Sequence, residues 1–124
     1  MYLSKGIWKN EDERYDMAGI FPFETVMKKR LARLGYREIK LNRRCIIGEA
    51  GALARGHEFH YSEIADSAHA DSDGCYTVSN SDGSELQTEG YSFRNVLGSY
   101  IHLHFGSSRG LAGHIANFMK KRGC

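Results

Sequence analysis

From Tyr36 to Phe105 the chain keeps returning to a period of two between short glycine-bearing turns, and this pattern commits its middle to β-structure. In YREIKL, Tyr36, Glu38 and Lys40 alternate with Arg37, Ile39 and Leu41. CIIGEAG and LARGHEFHYSEI read as two further strands joined at a glycine turn. SDG lies between Tyr76-Thr77-Val78 and Glu85-Leu86-Gln87 as a hairpin signal, ahead of a last strand from Val96 to Phe105. Before this middle, MAGIFPF reads as a short buried strand closed by Pro22. ETVMKKRLARLG spaces Val26, Met27, Leu31 and Leu34 as one stripe of a helix, Glu24 to Leu34, capped at Gly35. After it, Leu111, Ile115, Phe118 and Met119 fall on one face of a closing helix. The class is α/β with a mostly β middle.

A chain of 124 residues holds one domain or a piece of one. Charged residues make up 26%, the formal net charge is +2, and the two signs are interspersed, so no basic stripe for nucleic acid exists. No apolar run approaches the roughly 18 residues of a membrane span, and MYLSKGIWKNEDERYD lacks the order of a secretory signal, which points to the cytoplasm. Cys45, Cys75 and Cys124 are scattered without CxxC spacing and read as reduced thiols. The first residues, MYLSKGIW, are apolar and helix-compatible with no capping residue before them.

The chemistry is concentrated in histidines. Strand alternation puts Glu58 and His60 on one face of RGHEFHYSEI and His57 and Phe59 on the other, while His102 and His104 share a face if their strand stays regular. Two imidazoles at i, i+2 suit a transition metal, and Glu58, His60 or His57 would complete a set with His102 and His104. Hydrogen-bonded structural histidines are a second reading; for His69 and His114 that, or a solvated position, is accepted. Acid–base catalysis is the third, and it needs a nucleophile from elsewhere.

RGHEFHYSEI, the following GY, GSYIHLHF and the upstream GIFPFETVMKKRLARLGYREI together resemble the glutaminase domains of the cobyrinate and cobyric acid synthase branch of the class I glutamine amidotransferases. The resemblance runs nearly from Met1 to Lys121. It implies the carboxy-terminal half of a flavodoxin-like, three-layer α/β domain, so that residues 1–124 form a partial amidotransferase domain. In that family a cysteine nucleophile sits on a strand-to-helix elbow, in a Cys-Gly-Gly context just ahead of a segment similar to MYLSKGI. The resemblance therefore places the nucleophile before Met1 and makes Met1 to Trp8 the helix leaving the elbow.

By match of SYIHLHF, the resemblance makes His102 the general base for that cysteine, with His104 at a position where distant relatives carry an apolar residue. Many class I glutaminases follow this histidine with Pro-Glu; HLHF has no acidic residue there, so the triad becomes a dyad and the group that orients His102 is left open. GHEFHYS falls where relatives hold the head group of glutamine, implying backbone contacts from Phe59 and His60 and side-chain contacts from Tyr61 and Ser62, with His60 foremost. Glu58 either orients a histidine or salt-bridges within the domain. The implied partners are glutamine and, through a synthetase domain outside these residues, a corrin precursor. ATP and Mg²⁺ belong to that synthetase domain. No cofactor is expected in this chain, which has no GxxxxGK[ST] loop. Apolar surface on MAGIFPF and on Glu24 to Leu34 is expected to drive self-association.

Overall fold

The computed structural model describes residues 1–65 and 74–121. His69 and Cys124, read above from the sequence, lie outside the described residues. Among the described residues ten strands and one α-helix follow in order: β1 (Gly6–Trp8), β2 (Arg14–Asp16), β3 (Glu24–Met27), β4 (Arg33–Leu41), β5 (Leu53–His60), β6 (Ser62–Ile64), β7 (Gly74–Ser79), β8 (Glu85–Phe93), β9 (Val96–Gly98), β10 (Ile101–Leu103) and α1 (Leu111–Lys121). They form a four-stranded mixed sheet, β2-β1-β3-β6, and a six-stranded sheet, β10-β5-β4-β7-β8-β9. Tyr61 alone separates β5 from β6, so the chain steps from one sheet to the other within a single residue.

Every neighbouring pair in the larger sheet is antiparallel. Its two edge strands, β9 and β10, are consecutive in the chain and joined by only Ser99 and Tyr100. Three residue steps reach about 11 Å at most, whereas six strands laid flat would hold their edges about 24 Å apart at the usual spacing. The sheet must therefore curl until its edges nearly meet. The concave face carries Ile39, Leu41, Ala54, Tyr76, Val78 and Ile101, all buried, and α1 closes on it through Leu111 and Ile115. Lys120 and Lys121 in the last turn of α1 complement the helix dipole, and Met119 is exposed rather than packed.

Four expected elements are corrected. Glu24 to Leu34 is not a helix: Glu24–Met27 is a strand, pairing in parallel with β1 and antiparallel with β6. Its one fully buried side chain is Thr25, and Glu24 on the opposite face accepts from Trp8 Nε1 at 2.6 Å and Arg14 Nε at 2.8 Å. Pairing with two distant strands outweighs a helical stripe that local packing alone cannot stabilise. Gly35 accordingly lies inside β4, at φ +146°, where a Cβ would come within 2.6 Å of the Arg37 guanidinium. Met1 to Trp8 is not a helix: a turn, tied by Ser4 N–H and Oγ to the Met1 carbonyl, leads into β1 at Gly6–Trp8. MAGIFPF contributes no strand; Phe21 stacks on Phe23 at 5.4 Å, and Tyr91 of β8 meets Phe23 edge-on at 5.0 Å, forming a second small core. CIIGEAG is likewise a turn, closed by reciprocal backbone bonds between Cys45 and Gly48.

Candidate active site

The site begins where β10 lies against β5. Gly56 permits this approach: a Cβ there would stand 2.5 Å from the His102 carbonyl oxygen and 2.9 Å from its carbon, both backbone atoms that cannot yield. The register sets His102 directly across from His57, Ile101 across from Glu58 and Leu103 across from Gly56. Side chains opposite one another share a face, so the two imidazoles stand together on the convex, exposed side. His102 Nδ1 lies 3.1 Å from His57 Nε2, with ring centroids 4.8 Å apart and ring planes at 84°.

His104 does not share in this. β10 ends at Leu103, and the backbone then enters a 3-10 turn at Phe105–Ser107. His104 N–H donates to the Arg55 carbonyl and its own carbonyl accepts from Ser107 Oγ. The expected same-face pair, His102 with His104, is thus replaced by His102 with His57.

Behind this pair, on the concave face, Glu58 is 1% exposed and bridges Arg37 and His60. Arg37 Nε donates to Oε2 at 2.8 Å and His60 Nε2 stands 2.9 Å from Oε1. His60 Nδ1 lies 2.7 Å from the Ser62 carbonyl, which can only accept. Burial works against the charged form of Glu58, but the hydrogen bonds from His60 and Arg37 outweigh it and hold this carboxyl below its ordinary range. The His60 ring stacks on Tyr100 at 4.1 Å, and the Tyr100 hydroxyl bonds Ser62 Oγ at 3.0 Å.

A second buried carboxylate fastens the Ser99–Tyr100 crossing. Glu89 Oε1 accepts from Tyr100 N–H and from Ser99 Oγ, while Ser99 Oγ accepts from Tyr76 O–H at 2.6 Å and Ile101 N–H at 2.7 Å. Burial pushes the Glu89 carboxyl up, and its Oε2 has no hydrogen-bond partner among the described residues. Burial also raises the phenols of Tyr76 and Tyr100. Two carboxylates of opposite character therefore brace the backbone that presents His102.

Of the residues expected to meet glutamine, Phe59 and Tyr61 are exposed and meet edge to face at 5.8 Å. His60 and Ser62 face inward, and the His60 carbonyl accepts from Ala32 N–H. Glu58 salt-bridges Arg37 and touches His60, so both roles open to it in the sequence are combined. Cys75 is buried in the core, and burial raises the thiol of Cys45, with Cys75 against it; Cys45 is therefore not poised as a thiolate. Among the described residues no group of three or more His, Cys, Asp or Glu is arranged to hold a metal ion, and no helix is long and apolar enough to cross a membrane. Sequence reading missed Glu89, Tyr100 and Arg37. Only Arg37 left a signal, being a cation on the same strand face as Ile39 and Leu41.

Residues 1–110 match the model of the CobB/CobQ-like glutamine amidotransferase domain. The chain belongs to this family. Among curated proteins, the cobyrinate a,c-diamide synthase of Leptospira interrogans is 36% identical over 122 residues, covering 98% of this chain and 27% of the relative. That of Syntrophotalea carbinolica is 39% identical over 121 residues, 97% of this chain and 26% of the relative. That of Caldanaerobacter subterraneus is 39% identical over 105 residues, 84% and 22%. The chain thus spans about a quarter of the length of the first two relatives. Within this CobB/CobQ-like domain, both His-rich strands fall inside the matched residues, with β5 and β10 side by side.

Proposed function

We propose that the chain forms part of the glutaminase of an ATP-dependent amidotransferase that amidates the a and c carboxylates of cobyrinate, in cobalamin biosynthesis. The observation that carries this reading is the exposed His102 ring, whose Nδ1 is engaged by His57 and leaves Nε2 as the nitrogen turned to a substrate. His102 Nε2 takes the proton of a cysteine thiol supplied from outside these residues. The thiolate attacks the side-chain amide carbon of glutamine, the imidazolium returns its proton to the departing ammonia, and water then hydrolyses the thioester to glutamate. Ammonia passes to a synthetase domain, also outside these residues, where ATP and Mg²⁺ activate the corrin carboxylates.

The head group of glutamine is held near Phe59, His60, Tyr61 and Ser62. The exposed Phe59 and Tyr61 supply a face for it, and the braced His60 and Ser62 fix the strand end that carries them. In the assembled domain these sheets form part of a three-layer, flavodoxin-like arrangement. A reducing compartment such as the cytoplasm suits the free Cys45 and Cys75. The test is a chimera in which this chain replaces the matching residues of the Leptospira interrogans cobyrinate a,c-diamide synthase. It should release glutamate from glutamine when cobyrinate, ATP and Mg²⁺ are present. A soluble, folded chimera that amidates with ammonia but never hydrolyses glutamine would contradict the proposal.

A further inference from the structure

We propose that His57 is the positioning residue for His102, occupying the role of the acidic group that HLHF lacks; this rests on His102 being the base. A neutral imidazole carries its proton on either nitrogen. A ring used as a base at Nε2 must carry it on Nδ1, and in a triad the orienting carboxylate imposes that choice. Here the atom facing His102 Nδ1 is His57 Nε2, at 3.1 Å. His102 donates Nδ1–H into the His57 Nε2 lone pair, and His57 holds its own proton on Nδ1. When His102 takes the thiol proton, the S–H bond breaks and an N–H bond forms at Nε2. The same ring-to-ring bond then becomes charge-assisted, and no further proton moves.

Backbone register makes the contact obligatory. His57 and His102 are direct cross-strand partners, Gly56 draws β10 against β5, and Tyr36 of β4 stands opposite His57 on its other flank. His104, two residues beyond His102, has its backbone committed to Arg55 and Ser107 at the 3-10 turn.

Long-range proton–nitrogen correlation spectra of the labelled 124-residue chain, at alkaline pH where imidazole is neutral, read the tautomers directly. His102 should be the Nδ1–H form in the natural chain and in His57→Gln, whose amide oxygen still accepts, and should revert to mainly Nε2–H in His57→Phe. An Nε2–H ring in the natural chain, or an unchanged tautomer in His57→Phe, would overturn the pairing. In the Leptospira chimera, His57→Phe should lower kcat for glutamine hydrolysis roughly 10²-fold with KM little changed, and His57→Gln should recover most of it. If the tautomers behave as stated but His102→Ala leaves glutamine hydrolysis intact, the base reading fails and the positioning role fails with it, while the ring pairing stands.

Discussion

Replacing Glu58 with Gln tests how much of the site's rigidity comes from one buried carboxylate. The side chains of Glu58, Arg37 and His60 are 1%, 9% and 12% exposed, so solvent screens the triad little. An amide keeps one acceptor but removes the counter-charge of the buried Arg37 guanidinium. Removing one partner from a buried ion pair costs about 3–5 kcal/mol, and the retained acceptor puts this case near 3 kcal/mol. Unfolding entropy of about 2.1 cal/mol/K per residue gives roughly 0.26 kcal/mol/K for a chain of 124 residues, so Tm should fall by about 12 °C. The folded Glu58 carboxyl is held below its unfolded value. Its contribution is therefore fully present above the ordinary carboxylate range and is lost as pH falls through the folded value. Circular-dichroism melts of both proteins should show the full gap at pH 7 and a narrowing one toward pH 3. A Glu58→Gln variant melting within about 3 °C of the natural chain at pH 7 would refute the reasoning, as would a gap that does not change with pH.

Glu89 should behave with the opposite sign. Its folded carboxyl is raised by burial, so its destabilisation is absent below the unfolded value and grows as pH rises through the folded one. The natural chain should lose stability relative to Glu89→Gln between pH 4 and pH 8 in paired urea titrations, and a relative gain over that range would exclude the buried, unpartnered carboxylate oxygen. Gly56→Ala should cost about 1–3 kcal/mol by forcing a methyl group into the β10 backbone. A urea midpoint unchanged from the natural chain would show that β10 does not lie against β5 as described.

Legibility in the sequence followed the range of the interaction. The alternation of β4, the hairpin around Asp82 and Gly83, the closing helix and the faces of His57, Glu58, Phe59 and His60 are all set by neighbours along the chain or across one tight turn, and each is present as read except that Met119 of the helix is exposed. Glu24 to Leu34 misled because Val26, Met27, Leu31 and Leu34 fit a helical period by spacing, while the strand is decided by β1 and β6, 18 and 38 residues from Glu24 at their first residues. The partner of His102 depends on β5–β10 register across 45 residues, which spacing within SYIHLHF cannot supply. Glu89 was silent because it occupies the concave-face parity of β8, where a sequence pattern calls for an apolar residue. Its place follows from the curl of the sheet and from the Ser99–Tyr100 crossing it fastens.

The role of His102 is tested most directly by measuring glutamine-dependent and ammonia-dependent amidation side by side in the Leptospira chimera carrying His102→Ala. A general base beside a thiol contributes about 10²–10⁴ in rate, and more where it also generates the thiolate. The glutamine-dependent rate should fall by at least that factor while the ammonia-dependent rate stays within about twofold, and His104→Ala should leave both nearly unchanged. Equal loss of both activities in His102→Ala, or loss of neither, would contradict the assignment of His102 as the glutaminase base.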